Sequence, residues 1–126
     1  MDPVNLFSIA SKHNRWLSVR ESAVAQNIAN VNTPGYKALD VEPFEAALAA
    51  TRLAMARTRP EHLNPAGENL AAQEMRNEES WQILHSGNNV NLEQQLMKSG
   101  EISGSYALNT SVLKTFHRLL LTSSKG

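Results

Sequence analysis

The residues Ile102, Tyr106, Asn109, Leu113, Phe116 and Leu120 recur at four-three-four spacing, and that rhythm leaves the last third of the chain one plausible form. A repeat of about 3.5 residues draws a single narrow stripe along an α-helix, a seam suited to lie against another helix. The predicted helix runs from Leu92 to about Leu121. Asn91 supplies its N-cap, and Gln94 three residues on makes a variant of the capping box. Gly100 and Gly104 lie inside it at a cost of about 1 kcal/mol each relative to alanine, which implies close approach by a neighbour.

The opening of the chain carries a stripe of the same kind. Asp2 is placed to cap a helix and Pro3 to occupy its first position, where a missing N–H costs nothing. Leu6, Ala10, Leu17, Val24, Ile28 and Val31 then share one face, with His13 and Arg20 filling it and Ile9 and Trp16 on its flank. The expected fold class is therefore mainly α. Long N- and C-terminal helices pair as an antiparallel coiled coil, with a short, partly irregular middle segment between them. The 126 residues suit a single domain. It divides into an N-terminal helix over residues 1–32, a turn, short helix and loop over 33–91, and a C-terminal helix over 92–126. Two helices of about 28 residues a side are marginal alone, because most helix stability comes from tertiary packing, so the missing burial is expected from other subunits.

Between the stripes, NIANVNTPGYK (Asn27 to Lys37) ends the first helix. The asparagine amide competes for backbone hydrogen bonds and suits helix ends. Pro34 pushes Thr33 out of the helical region, and TPGY reads as a type II turn with Gly35 at the position that needs a positive φ. Residues 38–41 are short and extended. Glu42-Pro43 opens a second helix, residues 43–58, expected to bury Phe44, Ala47, Leu48 and Met55. Arg59 to Asn69 has two prolines and a glycine and is loop. From there to Glu79 the sequence fits either a short helix or nothing regular. SWQILH, residues 80–85, has strand character, yet one isolated strand cannot form a sheet.

Charge excludes several functions. Twelve basic and twelve acidic side chains cancel, which removes the electrostatic case for nucleic acid or an anionic membrane, along with a barrier to self-association. Both ends carry a slight basic excess, whereas residues 38–91 set four arginines against eight carboxylates. Without cysteine there is no disulfide, thiolate nucleophile or zinc knuckle. No run approaches the ~18 apolar residues of a membrane span. No cleavable signal pattern opens the chain, so any export is expected to use another route. His13, His62, His85 and His117 lack metal-ligand spacing, and no phosphate loop, serine elbow or Cys/His dyad occurs. The expectation is no catalytic residue, no cofactor and no metal. An enzyme would have to build its site from Glu61, His62, Glu78 and Trp81.

NIANVNTPGYK also resembles the signature that follows the N-terminal helix in bacterial flagellar axial proteins, matching at Asn27, Asn30, Asn32, Thr33, Pro34, Gly35, Tyr36 and Lys37. Thr58, Pro60, His62 and Leu63 resemble a Thr-x-Pro-x-His-Leu element of the same family, and GNNVNLEQQL resembles the segment opening its C-terminal helix. Hook and distal-rod members carry large inserted domains where this middle segment is short, so the resemblance points to the proximal rod. Pro43 departs from the family by interrupting the acidic-aromatic element after the turn. The resemblance implies a structural subunit of the basal-body rod, exported through the type III apparatus without cleavage and self-associating in a helical assembly. It would connect the ring and export gate to the distal rod and transmit torque. The implied partners are other rod proteins, the ring-rod junction protein and the export-gate proteins. The asparagines are expected to end the helix and bond backbone across the turn, while Pro34-Gly35 redirects the chain toward a neighbour. The residues alone leave an alternative open: a soluble helical adaptor or export chaperone dimerising through the same seams.

Overall fold

The computed structural model describes residues 3–55, 73–74 and 86–126. Helix α1 spans Pro3–Ala29, strand β1 Leu39–Asp40, helix α2 Phe44–Met55, strand β2 Gln73–Glu74 and helix α3 Leu92–Ser124. The protein is mainly helical, with its two long helices where the apolar stripes predict them. Pro3 is the first helical residue of α1, and its expected cap Asp2 lies outside the described residues. In α3 the Asn91 side chain accepts from the Gln94 N–H, the expected N-cap. This helix continues past Leu121 to Ser124, since its last residues contain no breaker before Gly126.

Helix α2 starts one residue later than expected. Pro43 is its cap, the carbonyl accepting from the N–H groups of Ala46 and Ala47. Phe44, Ala47 and Leu48 are half-buried, and the side chain of Met55 lies outside the described residues. The strand pairing corrects the sequence reading. Leu39 pairs with Glu74 and Asp40 with Gln73, antiparallel, so order falls at a Gln-Glu dipeptide read as helical or irregular. Two polar residues show no alternation, and only their distant partner makes them a strand. Residues 80–85, where strand character was expected, lie outside the described residues, as do the loop at 59–69 and the Thr58 to Leu63 element.

The main core gathers Trp16, Leu17, Val24 and Ile102, with Ile28, Val41 and Phe44 packed against it. A second, smaller cluster joins Ala38 and Val90 to Val31 and Tyr36. Trp16, placed on the flank of the first stripe, is buried because the chain after the turn covers that side. Its indole N–H donates to the Glu42 carbonyl at 2.8 Å. Contacts between α1 and α3 extend from Asn27 and Gln95 to Phe7 and Phe116. Asn27 donates to Gln95 Oε1 at 2.9 Å, Arg20 meets Glu101 at 3.7 Å, and Asn109 donates to Ala10 O and Asn14 Oδ1 at 3.0 and 2.6 Å. Beyond these, Phe7 and Phe116 meet edge to face with ring centroids 5.6 Å apart.

Along the first stripe Ala10, Leu17 and Val24 are buried and Leu6, Ile28 and Val31 half-buried. The second is covered only in part. Ile102 is buried and Asn109, Leu113 and Phe116 are half-buried, but Tyr106 is 53 % exposed and Leu120 is exposed as well. A single facing helix covers the middle of a stripe and leaves its borders wet, and Leu120 lies beyond the Phe7–Phe116 contact. Gly100 and Gly104 also correct the reading, because among the described residues a Cβ at either would meet nothing within 4 Å outside the adjacent backbone of its own helix.

Candidate functional site

The densest polar structure lies where α1 ends. Asn27 is fully buried, and its amide pairs with Leu39 as the peptide of a neighbouring strand would. Nδ2 donates to the Leu39 carbonyl and Oδ1 accepts from the Leu39 N–H, each at 2.7 Å. The remaining Nδ2 proton goes to Gln95 on α3. One side chain thus joins α1, β1 and α3, using the donor and acceptor capacity that only an amide provides.

The turn itself is held from the other end of the chain. The Asn88 amide donates to the carbonyls of Asn30, Val31 and Thr33 at 3.0, 3.1 and 2.7 Å, so it holds the backbone that leads from the end of α1 into the turn. Its Oδ1 accepts from the Val90 N–H. Asn89 Oδ1 accepts from Ala38 N–H, the Gly35 N–H donates to Ser86 O, and the Lys37 ammonium donates to Gly87 O. Inside the turn, the Tyr36 N–H reaches Thr33 O while Gly35 sits at φ +73°, which makes TPGY the type II turn that the sequence predicts. Asn30 closes the helix locally, its amide donating to Gln26 O and its Oδ1 accepting from the Thr33 hydroxyl.

Just after the turn, Asp40 lies between the two long helices. Lys98 of α3 meets it at 2.6 Å and Arg20 of α1 at 3.3 Å, and the Arg20 guanidinium also lies over the Trp16 ring. Burial opposes ionisation of Asp40. The Lys98 hydrogen bond and charge, the Val41 N–H and Arg20 outweigh it and hold the carboxyl below its usual range. His13 packs against Trp16 and Phe44 at centroid distances of 5.8 and 4.8 Å, and burial lowers its pKa against the opposing pull of Glu45.

Both groups have a lower pKa folded than unfolded, so folding favours the deprotonated form of each and acid destabilises the protein. The His13 contribution is complete above the ordinary histidine value and lost as pH falls below it. That of Asp40 is complete above the ordinary carboxylate value and is lost as pH falls through its depressed one. Urea midpoints measured across pH should therefore decline in two stages. Asp40→Asn should flatten the lower stage while reducing stability near neutrality, where Lys98 and Arg20 lose their anion. An unchanged acid decline in this variant would refute the assignment.

A profile of flagella basal body rod proteins matches residues 17–37, from the buried Leu17 to the lysine that reaches Gly87. The flagellar basal body rod protein FlgB of Agrobacterium fabrum (strain C58 / ATCC 33970) is 47% identical over 129 residues, spanning 99% of this chain and 96% of that protein. The chain belongs to the flagellar basal-body rod protein family. It is thereby a structural component of the flagellar basal body and not an enzyme. Glu61, His62, Glu78 and Trp81, on which an enzyme would have had to rest, lie outside the described residues.

In this rod protein the eight signature residues divide by environment. Asn27 is buried, while Asn30, Tyr36 and Lys37 are half-buried and bonded within the chain. Asn32, Thr33, Pro34 and Gly35 are exposed. Sequence reasoning separated this signature from GNNVN near residue 90, whereas the structure makes them two halves of one clamp. The sequence places Asn88, Asn89 and Gln95 only within the GNNVNLEQQL resemblance and assigns Asp40 and Lys98 no bonding role. The paired asparagines after Gly87 were the available signal, since buried amides in loops are usually spent on backbone groups.

Proposed function

We propose that this rod protein is a subunit of the proximal rod that polymerises through its terminal helices. It connects the ring and export gate to the distal rod and transmits torque. In this reading the terminal helices pair as an antiparallel coiled coil. Leu6, Ala10, Leu17, Val24, Ile28 and Val31 face Ile102, Asn109, Leu113 and Phe116, while Tyr106 and Leu120 complete their burial against other subunits. The chain reaches the rod through the type III apparatus uncleaved. Its neighbours are other rod proteins, the ring-rod junction protein and the export-gate proteins. The exposed tip at Asn32, Thr33, Pro34 and Gly35 is one contact surface.

The observation that supports this reading is apolar surface left on a folded helix. Leu108 and Val112, one turn apart on α3, stay 67 and 45 % exposed. Contiguous exposed apolar patches mark interaction sites. Replacing Leu108 and Val112 together by serine should leave helix content unchanged in circular dichroism, because neither residue is buried, yet abolish rod incorporation and swimming in cells that lack the natural protein. Motile cells with normal rods would overturn the proposal.

A further inference from the structure

Two buried atoms of opposite kind between α1 and α3 lack bonds. Gln95 is fully buried, and its Oε1 accepts from Asn27 while its Nε2 has no hydrogen-bond partner among the described residues. Glu21 is half-buried. Its Oε1 accepts from the Ser99 hydroxyl at 3.2 Å, whereas its Oε2, closed to solvent, has no such partner either. One atom is a donor and the other an acceptor, and each is costly to bury unbonded.

The orientation of Gln95 is fixed from α1. Asn27 spends Oδ1 on the Leu39 N–H and one Nδ2 proton on the Leu39 carbonyl, so the end of its amide that reaches α3 is a donor. Gln95 must present oxygen to it, since turning the Gln95 amide over would set two donors face to face. The Gln95 nitrogen is therefore held away from Asn27. Ser99 lies one turn beyond Gln95 on the same face of α3, and Ser99 is the residue bonded to Glu21. The Asn27–Gln95 and Glu21–Ser99 bonds are thus successive rungs between the two helices, and each rung carries one of the unbonded atoms.

We propose that one water molecule is held between these rungs, accepting from Gln95 Nε2 and donating to Glu21 Oε2. The pair sets the chemistry of its ligand. A cation would be repelled by the amide N–H and an anion by the carboxylate, whereas a small molecule that both accepts and donates suits the two together. Two bonds of about 2.8 Å in series let it join groups that stand too far apart to bond each other. The second proton of the water has an acceptor in Ser99 Oγ, whose own proton is spent on Glu21, which gives the three bonds usual for a buried water. Gln95 is then gripped at both ends of its amide, by Asn27 directly and by Glu21 through water. That double grip fixes where α3 stands against α1.

The test compares the full natural chain with its Glu21→Leu and Glu21→Gln variants, each checked by circular dichroism for retained helix. In the natural chain the Gln95 side-chain amide protons should show a nuclear Overhauser contact with water, although the side chain is closed to bulk solvent. Oxygen-17 relaxation dispersion counts waters held longer than the protein takes to tumble and is blind to exchanging hydroxyl protons. Its amplitude should fall by one water per chain in Glu21→Leu, and the Gln95 contact should vanish with it. Glu21→Gln keeps an oxygen acceptor and should retain both signals. A natural chain whose Gln95 amide has no water contact, or bonds Glu21 directly, would overturn the proposal. So would an unchanged water count in Glu21→Leu, or loss of the water in Glu21→Gln. If Glu21→Leu does not fold, the natural chain and Glu21→Gln still decide the matter.

Discussion

Leu17→Ala should destabilise the fold by about 2–5 kcal/mol, the range expected when a buried leucine is cut to alanine and its cavity cannot collapse. Leu17 is 1 % exposed and packs in the one cluster that joins both long helices, with Trp16, Val24 and Ile102. Collapse is restricted there because the Trp16 indole is tied to the Glu42 carbonyl. A small domain has only about 5–15 kcal/mol in total, so the loss should be plain as a shift in urea midpoint at constant slope. A loss below about 1 kcal/mol would mean that the cluster is not the core and that the helices are held together elsewhere.

Asn27→Ala should cost a comparable amount through hydrogen bonding instead of volume. The change leaves the Leu39 N–H, the Leu39 carbonyl and Gln95 Oε1 without their partner, and each buried unpaired group costs about 1–3 kcal/mol. Asn27→Asp, nearly the same shape, should be at least as damaging. It replaces a donor with an anion facing two acceptor oxygens in a site closed to water. Amide hydrogen exchange at Leu39 should accelerate in both variants. Full protection at Leu39 would show that the strand is held without this amide.

The long helices were legible because an apolar stripe is a local property. Spacing at Leu17, Val24 and Ile102 is fixed by helical geometry whatever the rest of the chain does. The type II turn was equally local: proline presets one angle and Gly35 tolerates the other, so four residues were enough. The strand at Gln73–Glu74 was not legible, because two polar residues become a strand only when Leu39 and Asp40 lie beside them. The clamp was half legible. Its asparagines stood out at residues 27 to 32, but the partners Asn88 and Asn89 are more than fifty residues away and look like any helix approach.

By itself, then, the sequence determined the helices, the turn and the family signature, all of which depend on spacing within a few residues. Only the tertiary structure decided what those elements meet. It placed Asp40 between cations from both helices, spent the Asn27 amide on the strand beyond the turn, and left Tyr106 and Leu120 exposed. Helical periodicity says which side of a helix is apolar. Burial depends on how many neighbours cover that side, and here α1 covers the middle of the α3 stripe and not its borders.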